Sequence, residues 1–148
     1  MAHHRTTITA AIKSALTGLT STASRVYVAR PYPLDTNNLP GLFIWLNAEE
    51  VEFQSQNDVS YLHSVEIMIE GFAQGATGEA VDTALDSIDE EVRAALLADA
   101  TVAAAVRHIG YSQMEKEIAG ESDKISGKIT MTYSARYETA RTDPTTDI

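Results

Sequence analysis

The chain has 148 residues, 44% of them apolar, and a net charge of −10 with no cysteine. A single domain of this length buries about 65–70% of the surface that its unfolded form exposes. Without cysteine there is no disulfide framework, thiol chemistry or Cys-ligated metal. The acidic balance argues against a protein that tracks phosphates, which takes Lys and Arg to displace counterions. The apolar runs Leu42–Leu46 and Val102–Val106 fall far short of the roughly 20 residues that span a bilayer, and the first residues lack the apolar stretch of a signal peptide. A soluble protein with no membrane partner is expected.

Ile8, Ala11, Ile12, Ala15, Leu16 and Leu19 recur at helical spacing and predict an amphipathic helix over about 7–19, begun by threonines and ended by Gly18. The segment 25–30 alternates like a short strand. Pro31, Pro33 and Pro40 then mark an extended surface connection, because proline lacks an amide donor and has a fixed φ.

Residues 39–72 read as one long β-hairpin with its turn over 54–60. Leu42, Ile44 and Leu46 alternate with Phe43 and Trp45, so this part of the first arm is apolar on both faces. Past Asn47 the pattern becomes Val51 and Phe53 against Glu50 and Glu52. The return arm puts His63, Val65, Ile67 and Ile69 on one face. The stretch from Asn47 to Tyr61 is expected to project from the body.

A second helix follows over 79–98, with Val81, Ala84, Leu85, Ile88, Val92, Ala95 and Leu96 as its buried stripe. Its other side, continued to Asp99, carries seven carboxylates against Arg93 alone. A short Ala-rich helical piece ends near Arg107, and strands over 109–118 and 125–137 close the fold. Residues 1–138 are expected to form a single α+β domain, a mostly antiparallel sheet with a long projecting β-hairpin and helices packed against it. Residues 139–148 read as a mobile tail with nothing to bury.

The search for chemistry is nearly empty. The patterns HExxH and GxSxG are absent. His3 and His4 read as an incidental terminal pair, His63 as structural or interfacial, and His108 as a companion of a helix C-terminus. The stretch from Gly120 to Gly127-Lys128 places six residues between its glycines and Ile129 after the lysine, so it reads as a β-turn rather than a phosphate loop. Asp82, Asp86, Asp89 and Glu90 share one helix face. Such a face is usually solvated, and the other readings are a contact surface, a channel lining or a divalent-cation site. Neither a cofactor nor a metal is expected. Contact segments are expected at Pro31, Tyr32, Pro33 and Leu34, and along the arm at Val51, Phe53, Gln54, Gln56, Asn57 and Asp58.

The order of elements, together with Leu39-Pro40 leading into a strand with Ala48-Glu49, the hairpin return EIMIEGF, Ile109-Gly110-Tyr111 and the closing ITMTYSARYE, resembles the tail terminator proteins of long-tailed phages. The likeness spans about 8–137. It implies a homohexameric ring assembled in the host cytoplasm and carried in the virion. That ring sits on the finished tail tube, stops addition of tube subunits, meets a neck or head–tail connector protein, and lets DNA pass without specific binding. Whether the acidic helix would line the hole or face outward stays open. The alternatives are another neck or head–tail joining protein and, from a different class, a small divalent-cation-dependent enzyme or ligand-binding domain.

Overall fold

A computed structural model describes residues 3–22, 25–28, 40–53, 60–121, 124–140 and 143–147. Their elements in chain order are α1 (His4–Leu16), β1 (Val26–Val28), β2 (Gly41–Phe53), β3 (Ser60–Gly75), α2 (Gly78–Ala98), α3 (Ala100–Ala105), β4 (His108–Glu121), β5 (Lys124–Ala140) and β6 (Asp143–Asp147). The fold is α+β. Five strands lie in the order β1-β2-β3-β5-β4, antiparallel except for the short parallel pairing of β1 on β2, and the helices pack against the sheet.

Each helix begins where a side chain can satisfy free amides. Thr77 Oγ1 accepts from Ala80 N at 3.1 Å, and Asp99 Oδ1 accepts from Val102 N at 2.9 Å. α1 starts three residues earlier than the apolar spacing predicts. His3 Nδ1 accepts from Arg5 N at 3.1 Å, and His4, far from being a frayed terminal residue, is buried with Nε2 2.6 Å from the Ala105 carbonyl. The helix ends at Leu16 instead of Leu19 because Thr17 is extended and Gly18 has a φ of +95°.

One face of the sheet is the core face. Leu42 and Ile44 from β2, Val65, Ile67 and Ile69 from β3, and Ile129, Met131, Tyr133 and Tyr137 from β5 meet Ile8, Ile12 and Leu16 of α1 and the α2 stripe Val81, Leu85, Ile88, Val92 and Leu96. α2 lies very close to the strands, and glycine permits it. A Cβ on Gly127 would stand 2.5 Å from Val81 Cγ1, and one on Gly71 would stand 2.8 Å from Ile88 Cγ2. The opposite face carries no described helix. On it Phe43 is fully buried within a ring cluster, 5.2 Å from Phe72, 5.9 Å from Tyr27 and 6.4 Å from Trp45. This accounts for the first arm being apolar on both sides.

The hairpin of β2 and β3 is as long as the sequence suggests, but its return arm is not bare. β3 pairs with β5 from Ser60↔Ala140 to Gly75↔Ile125 without a shift in register. The stretch of β2 from Trp45 to Phe53 therefore lies as the outer strand of a longer ribbon. The end of the chain also differs from the expected loose tail. β5 continues to Ala140, Glu138 and Thr139 are buried, and β6 pairs with β5. The apolar alternation stops at Tyr137, so the signal that marked the strand ended before the strand did.

Candidate functional site

The acidic face of α2 is knitted to β4. Lys116, half-buried on the core face of β4, places Nζ 2.9 Å from Asp82 Oδ1 and 2.5 Å from Asp86 Oδ1. Hydrogen bonds to Asp86 and then Asp82 raise the Lys116 pKa above its ordinary value, so the ammonium stays charged. Asp89 accepts from the Tyr111 hydroxyl at 2.9 Å and from Arg93 at 3.1 Å, and Arg93 lies 4.1 Å over the Tyr111 ring. Glu90 is exposed. Glu91 turns inward to accept from Ser21 N at 2.8 Å and from its hydroxyl. Of the carboxylates that pointed to a divalent cation, Asp82 and Asp86 thus meet a protein ammonium, Asp89 meets a guanidinium and a phenol, and Glu90 faces solvent. Among the described residues no group of three or more His, Asp or Glu is placed to hold a metal ion.

A second polar cluster ties the root of the hairpin arm to both ends of the chain. Glu49 from β2 accepts from the Tyr137 hydroxyl and faces Arg5 at 3.9 Å. His63 from β3 stacks flat on Tyr137, with centroids 4.4 Å apart, and His4 lies 4.8 Å from the same ring. His63 Nε2 is 2.7 Å from Thr139 Oγ1, while Nδ1 faces Glu49 Oε1 at 3.4 Å without forming a hydrogen bond. Hydroxyl, imidazole and carboxylate stand here in the order of a nucleophile relay. Thr139, however, is 1% exposed, so its oxygen meets packed protein and not solvent. The cluster is built to join elements. Burial, then the bond to Glu49, hold the Tyr137 phenol well above its usual pKa, and burial does the same for Tyr133.

The remaining candidates are surfaces. Among the described residues two long runs of strand edge have no strand neighbour, that of β2 from Trp45 to Phe53 and the outer edge of β4 from His108 to Glu121, beside the short outer edges of β1 and β6. Val51 is 49% exposed on the first. Met114 and Ile118 are 44% and 41% exposed on the second, large apolar side chains left open to water. The helix-free face between these edges is lined by hydroxyls and carboxylates: Ser64, Glu66, Thr130, Thr132, Ser134 and Glu115 all alternate onto it.

No family model matches the sequence, and no curated protein matches it. Among solved structures, a chain of the virion of a native gene transfer agent particle matches over 93% of this chain and 92% of its own, at 16% identity and a TM-score of 0.49.

Of the contact residues expected from sequence, Val51 lies exposed on the open edge of β2. Phe53 ends the same strand. Pro31, Tyr32, Pro33 and Leu34, and Gln54, Gln56, Asn57 and Asp58, lie outside the described residues. Sequence reasoning missed the outer edge of β4, because Met114 and Ile118 read as ordinary strand residues until the strand order puts them at the rim. It also missed Glu49 and Thr139, whose partners lie 88 and 76 residues away along the chain.

Proposed function

We propose that this protein is a phage tail terminator: a non-enzymatic virion protein that closes into a six-membered ring on the finished tail tube, halts tube growth and offers the neck a surface to join. One observation carries the reading beyond the sequence resemblance. The two open edges lie on opposite sides of one sheet, and β2, β3, β5 and β4 alternate in direction, so β2 and β4 run opposite ways. Repeated head-to-tail association then brings β4 of one copy beside β2 of the next as antiparallel neighbours. This is a heterologous contact, which closes into a ring when each step turns by the same fixed angle. Exposed apolar residues on a long open edge are a standing invitation to such pairing.

Charge fits the same reading. A net charge of −10 gives a ring that repels DNA as a whole, which suits passage over adhesion. The helix-free face, rich in Ser, Thr and Glu, suits a wet lumen or a docking face.

The test adds the purified protein to polymerising tail tube subunits and follows tube lengths by electron microscopy. Capped ends and arrested growth are expected. Tubes that elongate unchanged, with bare ends, would overturn the proposal.

A further inference from the structure

Each outer strand of the four-stranded run holds one residue too many. Pairing of β2 with β3 shifts between Leu46 and Ala48, leaving Asn47 as a bulge, and pairing of β4 with β5 shifts between Tyr111 and Gln113, leaving Ser112 as a bulge. The central β3–β5 ladder has no such shift. The two bulges flank the same rung: Leu46 pairs with Ile67, Ile67 with Tyr133, and Tyr133 with Tyr111.

A bulge lengthens and bends its own strand and increases the local twist. With one on each side of a regular centre, the sheet creases along a single line. Beside the two bulges, on the helix-free face, lies a hollow of about 260 Å³ with Ala48, Glu66, Ser112, Gln113, Thr132 and Ser134 in its walls. Asn47 and Ser112 are themselves exposed. Neither is needed to fill the core. Removing either one joins residues that already sit on alternate faces, Leu46 to Ala48 or Tyr111 to Gln113, so every buried side chain keeps its side.

We infer that Asn47 and Ser112 set how many copies close the ring, by fixing the angle through which each sheet turns from one edge to the other. The inference rests on the ring reading above. Six-fold closure needs about 60° per copy, and curvature of this kind in closed sheets is introduced by bulges at defined positions.

The experiment compares the parent protein with a deletion of Asn47, a deletion of Ser112 and the double deletion. Circular dichroism and thermal unfolding establish that each is folded, and the copies in the rings formed on tube ends are counted by image classification. Folded deletion variants are expected to form larger rings or open arcs, because a flatter subunit turns through a smaller angle. Rings with the parental copy number would overturn the inference while leaving the ring reading intact. A parent that forms no ring on tube ends would remove both. Should the double deletion not fold, the single deletions decide, since each takes away one exposed residue.

Discussion

At the residue scale, glycine and tyrosine report most directly on the packing. Gly127→Ala puts a methyl group 2.5 Å from Val81 Cγ1 and 3.3 Å from the Glu117 carbonyl, backbone that cannot move aside. A loss of about 1–3 kcal/mol is expected, read as a lower urea midpoint with the slope unchanged. Tyr111, Tyr133 and Tyr137 each have a phenol raised above its ordinary value, with burial the first cause in every case. An acid whose folded pKa exceeds its unfolded value, near 10 for tyrosine, contributes stability that is complete below that pH and is lost as pH rises beyond it. Stability is therefore expected to hold up to about pH 10 and to fall above it, with part of the tyrosinate absorbance appearing only as the protein unfolds. A native-state titration in which all six tyrosines ionise with midpoints near pH 10 would contradict the burial assigned to these rings. The same scale shows what sequence could not reveal. His3 and His4 look like terminal debris because nothing nearby in the chain explains them, yet His3 caps α1 and His4 reaches the Ala105 carbonyl, 101 residues away. Long-range polar partners leave no periodic trace.

At the element scale the strands show where pattern reading succeeds and where it stops. The stripe from Val81 to Leu96 and the alternation from Ile125 to Tyr137 placed α2 and β5 because one face of each is buried along its length. The bulges were also written in the sequence, as a change of parity. Core-face residues of β2 pass from the even positions Leu42, Ile44 and Leu46 to the odd positions Glu49 and Val51, and those of β4 pass from Ile109 and Tyr111 to Met114, Lys116 and Ile118. Read without the partner strands, the first switch looked like an arm leaving the core, because a bulge and an exit alter alternation in the same way. The open edge of β4 gives the prediction for this scale. Met114 and Ile118 are each partly covered as well as partly exposed, so replacing both by Lys gives up some packing, and the monomer should stay folded with a loss on the order of 1 kcal/mol in chemical denaturation. Self-association, followed by sedimentation, should be lost. Association unchanged in that variant would place the contact elsewhere.

At the scale of the whole molecule, the acidic helix that attracted a cation-site reading is a strut. Lys116 and Arg93 already supply the positive charge for Asp82, Asp86 and Asp89. Among the described residues, the long open strand edges and the helix-free face are the surfaces on which the proposal that copies join edge to edge is built. The chain has no cysteine, so two can be placed at will. Glu52→Cys on the open run of β2 and Gln113→Cys on β4, joined by a short flexible bis-maleimide in the presence of tail tubes, test this closure most directly. The account predicts a covalent ladder that ends at a closed six-copy species for the double variant and no ladder for either single variant. Monomer alone, or the same products from single and double variants, would contradict it.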